Sequence, residues 1–331
     1  MCGIGFWLTG REPFAPAIDW GPLPAPTEPC FDGSDDDLRE HLTSYLRQRG
    51  PDEVNYTDFS SSTLVDSSQS WDVSLLTSVL SLRGQELASQ PYDLGGGRAF
   101  AFNGEMFHYG GEDQDEILAS SDTSWLGSRI RNILDANSER TPDASDSHAD
   151  DSDAAIVRLL DKVQGPFAFC VVDPTRKCIL FGRDKWGRRS LVYGYKSSED
   201  SSCSTDLVVA SVGGSSSSHG WLEVPVGGVY RFDLETGQVS MLPWPTPPTF
   251  AFDESQKFGG SYFSLPEQTN ICPEPASAVD LVEAALENSV RARVLAARQK
   301  HLPIGVLFSG GIDCTVLAAL AAKVLLQDAA S

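Results

Sequence analysis

A chain of 331 residues has room for one large domain or two ordinary ones, and its 41% hydrophobic content is that of a globular protein. A net charge of −21 repels phosphate backbones and anionic lipid, which excludes nucleic-acid and membrane-surface binding as natural roles. The seven cysteines are odd in number and lack CxxC spacing, which argues against a disulfide framework and a zinc site and points to a reducing, cytoplasmic setting.

No stretch approaches the roughly 18 apolar residues of a membrane span. The acidic runs Asp35-Asp36-Asp37, Glu112 to Glu116 and Asp143 to Asp153 read as solvated loops. Cys2 to Leu8 has strand character, and Pro13 to Pro29 reads as an exposed loop. Asp36 to Arg47 is expected to be a helix with Leu38, Leu42, Tyr45 and Leu46 on one face. Short β-rich runs follow, among them Leu75 to Leu82 and Arg98 to Phe102. Thr123 to Leu134 reads as a helix capped by Asp122 or Ser121.

Residues 135–153 are poor in large apolar side chains and read as a disordered insertion before a helix over Ala154 to Val163. The strands Phe167 to Val172, Cys178 to Phe181, Leu191 to Tyr193, Leu207 to Ser211 and Val229 to Leu234 are joined mostly by hairpin-length turns, which favours antiparallel sheet. A Pro-rich linker occupies 244–275. Beyond it come a helix over Val279 to Lys300, a buried strand Ile304 to Phe308, a Gly turn Ser309 to Asp313 and a helix Thr315 to Leu326, the start of a βα unit.

Cys2 invites a specific chemistry. Methionine before a small residue is normally excised, which leaves Cys2 with a free α-amine whose pKa near 8 suits it as base for its own thiol. The thiolate could then attack a carboxamide and release ammonia without a catalytic histidine. Five further runs accompany Met1-Cys2-Gly3-Ile4-Gly5: Arg49-Gly50-Pro51-Asp52, Asn103-Gly104-Glu105, Ser121-Asp122-Thr123, Gly165-Pro166-Phe167-Ala168-Phe169 and Phe181-Gly182-Arg183-Asp184.

In this order the runs resemble the class II glutamine amidotransferases, which are N-terminal nucleophile hydrolases. The resemblance implies an α+β fold, a four-layer αββα sandwich, over residues 1–243. It implies glutamine as substrate, Arg83 as clamp for the α-carboxylate, Glu105 and Asp122 facing the ammonium, and the Asn103 side chain with the Gly104 N–H as oxyanion hole. Arg49 and Asp52 are assigned to the turn that supports the nucleophile strand, and Arg183 with Asp184 to an inter-strand ion pair.

Leu307-Phe308-Ser309-Gly310-Gly311-Ile312-Asp313 resembles the SGGxDS loop of ATP pyrophosphatases, the synthetase half of asparagine synthetases. Residues 276–331 are therefore expected to be the beginning of an α/β ATP pyrophosphatase domain, truncated at Ser331. Leu307, Ser309, Gly310, Gly311, Asp313 and Cys314 would bind ATP, with Mg²⁺ at Asp313, and aspartate would accept the ammonia.

Cys314 stands where the family has serine, and Ser190 where asparagine synthetases proper have proline. The latter, with Leu82-Arg83-Gly84, Gln90-Pro91 and Glu105-Met106-Phe107, resembles the asparagine synthetase domain-containing proteins. The alternative is a catalytically inactive or regulatory protein that keeps the fold.

Overall fold

The computed structural model describes residues 2–10, 17–59, 71–82, 86–110, 121–138, 148–197, 206–213, 220–246, 275–298 and 303–329. The chain forms two compact units, Met1–Pro247 and Pro248–Ser331.

The first unit contains two large antiparallel-rich sheets. One has seven strands: β1 (Gly3–Gly10), β2 (Phe31–Asp32), β3 (Glu53–Phe59), β4 (Trp71–Val79), β11 (Val192–Ser197), β12 (Asp206–Ala210) and β13 (Leu222–Glu223). Its order is β13-β11-β12-β1-β4-β3, with β2 beside β11. The other has six: β5 (Tyr92–Gly95), β6 (Arg98–Gly104), β9 (Phe167–Asp173), β10 (Cys178–Arg183), β14 (Gly228–Asp233) and β15 (Val239–Pro243), in the order β15-β14-β10-β9-β6-β5. A small ribbon pairs β7 (His108–Tyr109) with β8 (Val163–Gln164).

Side-chain alternation stacks the layers. Ile4, Phe6 and Leu8 of β1 meet Ala168, Cys170 and Val172 of β9 and Phe181 of β10 in one core between the sheets. The opposite face of the first sheet, with Trp7, Leu76, Val208 and Ala210, is covered by Leu38, Leu42 and Leu46 of helix α1 (Asp35–Arg49). The outer face of the second, with Phe100, Phe102, Phe169 and Leu180, is covered by α2 (Asp122–Ser138) and α3 (His148–Asp161). The unit is thus an αββα sandwich.

The glycines of the first strand have a packing reason. A Cβ on Gly3 would lie 2.7 Å from Leu46 Cδ2, and one on Gly5 3.3 Å from Leu46 Cδ1, so glycine lets α1 press directly on the strand. Leu46→Ala would open a cavity beneath that contact. It is expected to cost about 3 kcal/mol and lower the thermal midpoint by roughly 6–12 °C, read by calorimetry.

The acidic runs are partly structural rather than solvated loops. In Asp35-Asp36-Asp37, the Asp37 carboxylate accepts the Ser34 N–H at 3.1 Å while Ser34 Oγ accepts the Asp37 N–H at 3.2 Å, a capping box that starts α1. Asp35 accepts the Thr9 hydroxyl at 2.7 Å and pairs with Lys196. Asp153 is buried and binds Arg176 at 2.5 Å and Arg231 at 3.1 Å, fastening α3 to the second sheet.

Other expectations are corrected. Helices run into both ends of the proposed 135–153 insertion, to Ser138 and from His148; 139–147 lie outside the described residues. Ile18 and Leu23 of the Pro-rich segment are buried in the intersheet core, and Asp19 bridges Gln238, so this part is a packed strap rather than an exposed loop. Arg183 and Asp184 do not pair with each other. Arg183 reaches from β10 to Glu223 of β13 at 2.8 Å, tying one sheet to the other, and Asp184 binds Arg188 at 3.0 Å.

Of the 244–275 linker, Trp244 is buried, with its Nε1 donating to Val226 O at 3.1 Å, and the Thr246 hydroxyl donates to Asp161 at 2.8 Å; 247–274 lie outside the described residues.

In the second unit, α4 (Pro275–Arg298) and α5 (Ile312–Ala329) pack through Val290, Val294, Leu320 and Val324. Ile304 to Phe308 forms no strand, and Leu307 is 99% exposed. A buried strand needs lateral partners, and none stands beside this segment among the described residues.

Candidate active site

Cys2 enters directly before β1, which lies between β12 and β4 in the middle of its sheet. Its Sγ accepts the Leu80 N–H at 3.4 Å and lies 3.8 Å from Leu80 O, so the residue just past β4 fixes the thiol. The Arg49 turn supports this arrangement from below. Arg49 Nε donates to Cys2 O at 3.3 Å, and the Gly50 N–H caps α1 on Leu46 O at 3.1 Å. A Cβ on Gly50 would stand 2.6 Å from the Val79 backbone, so only glycine admits this close approach. The Asp52 N–H donates to Val79 O at 3.0 Å and its carboxylate accepts the Ser81 N–H at 2.7 Å.

The Cys2 pocket is lined further by Leu80, Gln90, Asn103, Gly104, Glu105, Asp122 and Arg189. Asn103 and Gly104 end β6. Their geometry is set by the neighbouring Gly165-Pro166-Phe167 run, where the Glu105 N–H donates to Pro166 O at 2.9 Å and a Cβ on Gly165 would fall 1.8 Å from Glu105 O. Gln90 holds the strand on its other side: its Nε2 donates to Phe102 O at 2.9 Å and its Oε1 accepts the Phe102 N–H at 2.7 Å. Asn103 Nδ2 lies 3.3 Å from the Ser211 hydroxyl.

Asp122 opens α2. Ser121 provides the cap, its hydroxyl accepting the Ser124 N–H at 3.1 Å, and the buried Asp122 carboxylate accepts the Met106 N–H at 2.9 Å. Glu105 pairs with Arg189 Nη2 at 2.8 Å. Arg189 reaches the pocket because Asp184 organises the turn before it, accepting the N–H groups of Phe167, Trp186 and Arg188 at 3.0, 3.0 and 3.2 Å.

Of the residues expected from sequence, Cys2, Asn103, Gly104, Glu105 and Asp122 come together in one pocket. Arg83 lies outside the described residues. Leu80, Arg189 and Ser211 were not singled out by sequence reasoning, and Gln90 only within Gln90-Pro91, without a place in the site. The double arginine Arg188-Arg189 offered a further signal, and it did not tell which side chain faces inward.

Burial pushes the Cys2 thiol above its ordinary value; the Leu80 hydrogen bond, the positive N-terminus and Arg189 draw it down, while Asp122 pushes it up. Arg189→Ala removes one of the cations favouring the thiolate. The pH midpoint of Cys2 alkylation by iodoacetamide is expected to move upward in that variant. A midpoint at or below the wild-type value contradicts the electrostatic role.

Sequence families match the two units separately. A glutamine amidotransferase domain family matches residues 79–211, which include β4's end, Asn103-Gly104-Glu105, Asp122 and Arg189. This stretch, with the Cys2 pocket around it, carries the glutamine amidotransferase likeness of the chain. An asparagine synthase family matches residues 281–330. The chain is 27% identical over 296 residues to an asparagine synthetase domain-containing protein of Saccharomyces cerevisiae, covering 87% of this chain and 45% of that protein. It is 30% identical over 216 residues to asparagine synthetase domain-containing protein 1 of Homo sapiens, covering 63% of this chain and 28% of that protein.

The chain thus spans less than half the length of these curated relatives. Among solved structures it is similar to the glutamine phosphoribosylpyrophosphate amidotransferase of B. subtilis, at 16% identity and a TM-score of 0.40, covering 98% of this chain and 64% of that one.

In the second unit, Gly310 has φ +85° and a Cβ there would meet nothing within 4 Å, leaving open space at the start of α5. Cys314 Sγ donates to Gly311 O at 3.0 Å and lies 3.5 Å from Ser309 Oγ; the Thr315 hydroxyl also donates to Gly311 O, at 2.8 Å. Asp313 is exposed in the first turn. An open helix start with a flanking carboxylate fits phosphate oxygens with a divalent cation. Among the described residues no three metal-ligating side chains gather, and no helix is long and apolar enough to cross a membrane.

Proposed function

We propose that the first unit hydrolyses glutamine with Cys2 as nucleophile. The observation that carries this reading is the placement of the Cys2 thiol, held at Leu80, in one pocket with Asn103, Gly104 and the Asp122 carboxylate. With Met1 removed, the α-amine takes the thiol proton and the sulfur attacks the side-chain carboxamide carbon of glutamine. The oxyanion that forms is held by Asn103 Nδ2 and the Gly104 N–H. Collapse breaks the C–N bond, the α-ammonium returns its proton to the departing amine, and ammonia leaves. Water then cleaves the thioester to glutamate and regenerates the thiol.

Asp122 is assigned to the substrate ammonium. Glu105, already paired with Arg189, acts as part of a charged wall rather than as a lone anion. The α-carboxylate is assigned to Arg83. Among the described residues Cys2, Cys30, Cys170, Cys178 and Cys314 are free thiols, which suits a catalytic thiol in the reducing cytoplasm.

The second unit is assigned to the ATP-dependent side of asparagine formation. Leu307, Ser309, Gly310, Gly311 and Cys314 would contact the phosphates and Asp313 a Mg²⁺ ion. ATP would supply an adenylyl group to the aspartate carboxylate with release of pyrophosphate, and ammonia would then displace AMP from the activated acyl carbon. The test of the primary reading is ammonia release from glutamine by the full chain, together with covalent labelling by a glutamine-like chloroketone. Modification mapped to Cys2 by mass spectrometry supports it; a protein that releases no ammonia and leaves Cys2 unlabelled sinks it and favours the regulatory alternative.

A further inference from the structure

Ser211 sits one residue past β12 and is 1% exposed. Its backbone is clamped from two sides: its N–H donates to Ile4 O at 2.7 Å and its carbonyl accepts the Ser190 hydroxyl at 2.7 Å. Its hydroxyl oxygen accepts the Ile4 N–H at 3.0 Å and stands 3.3 Å from the Asn103 carboxamide. One buried side chain thus touches both the strand that carries the nucleophile and the residue assigned to the oxyanion hole.

A serine hydroxyl has one proton to donate and two lone pairs. With Asn103 Nδ2 turned towards it, Ser211 is offered two donors, and Asn103 Oδ1 is left buried without a hydrogen-bond partner among the described residues. Such an orphaned acceptor is costly. A half-turn of the carboxamide satisfies both groups: the Ser211 hydroxyl donates to Oδ1 and still accepts the Ile4 N–H. Nδ2 then takes the buried place of the orphaned oxygen, in a residue that lines the Cys2 pocket, and its protons stay unpaired until an acceptor enters there.

We infer that Ser211 is a positioning residue for the oxyanion hole, its hydroxyl fixing the Asn103 carboxamide with Oδ1 towards itself and Nδ2 towards the substrate's developing negative charge. This rests on the reading of Cys2 as a glutaminase nucleophile. It also gives Ser190 a purpose, since the hydroxyl on the Ser211 carbonyl fixes the backbone from which Oγ projects. Proline at that position has no such hydroxyl.

The test compares the full chain with S211A, N103A and the double variant, reading kcat and KM for glutamine hydrolysis and the rate of Cys2 alkylation by iodoacetamide. S211A is expected to lower kcat about 10–100-fold, less than or equal to the loss of a direct donor. KM and the alkylation rate should stay within about twofold, because neither reports on the oxyanion. In the N103A background the Ser211 substitution should cost nothing further.

Unchanged kcat in S211A overturns the role. So does a full multiplicative loss on top of N103A. A fall in alkylation parallel to kcat overturns it too, since the hydroxyl would then act on the nucleophile strand alone. Should alanine fail to fold, Ser211→Cys keeps a side chain of similar shape with a weak donor, and full kcat in it counts equally against the role. A wild-type chain that releases no ammonia removes the glutaminase reading and this inference together, an outcome distinct from an active wild type with an indifferent Ser211.

Discussion

Cys2→Ala should abolish ammonia release from glutamine, a loss on the order of 10⁶-fold in kcat if the thiol is the nucleophile. The fold should survive it. Among the described residues the side chain's hydrogen bonds are to Leu80, so the thermal midpoint is expected to move by no more than about 3 °C. The same loss should follow when an extension is left on the N-terminus, because the amine is then no longer on Cys2. A chain with Cys2 intact and blocked at its α-amine separates the two contributions: it keeps the thiol and lacks the base. A coupled ammonia assay, with intact mass to verify the terminus, reads both. Persistent turnover in Cys2→Ala would falsify the mechanism.

Gly104→Ala should be the second most damaging single change. A Cβ there would lie 2.6 Å from Phe167 Cβ, 2.6 Å from Pro166 O and 2.7 Å from Phe102 Cζ, so strand β6 must move away from the Gly165-Pro166-Phe167 run. That movement carries the Gly104 N–H with it and strains the 2.9 Å bond from the Glu105 N–H to Pro166 O. The expected cost is about 1–3 kcal/mol in stability from overpacking. It is compounded by a fall of about 10²–10³-fold in kcat as the oxyanion donor is displaced. Urea unfolding and steady-state kinetics measure the two separately. Wild-type values of both would mean that the backbone here is slack and that Gly104 is not held for catalysis.

The parts of the molecule legible in the sequence are those whose cause is local. The alternation in Gly3-Ile4-Gly5-Phe6-Trp7-Leu8 reports a strand with one face turned to a core, and Leu38, Leu42 and Leu46 report the helix face that covers the other. The motif residues Cys2, Asn103, Gly104, Glu105 and Asp122 converge on one pocket because each ends or begins an element at the same edge of the sandwich.

What stayed hidden depends on pairing across long separations, which leaves no periodic trace. Arg189 finds Glu105 across 84 residues, and Ser211 finds Asn103 across 108. Asp153 looked like one more solvated acid until Arg176 and Arg231 were placed around it. Ile304 to Phe308 shows the converse error: apolar composition suggested a buried strand, but a strand also needs neighbours, which composition cannot supply.

The place of β1 between β12 and β4 has a consequence for the timing of assembly. Ile4 exchanges its main-chain bonds with Ser211, 207 residues away, so the first strand cannot be completed until the chain has been synthesised nearly to the end of the first unit. At about 5–20 residues per second on the ribosome, that interval is roughly 10–40 s. Throughout it the first strand lacks its final lateral partner and keeps a bare edge in the growing chain, whereas afterwards it is locked into the centre of a sheet.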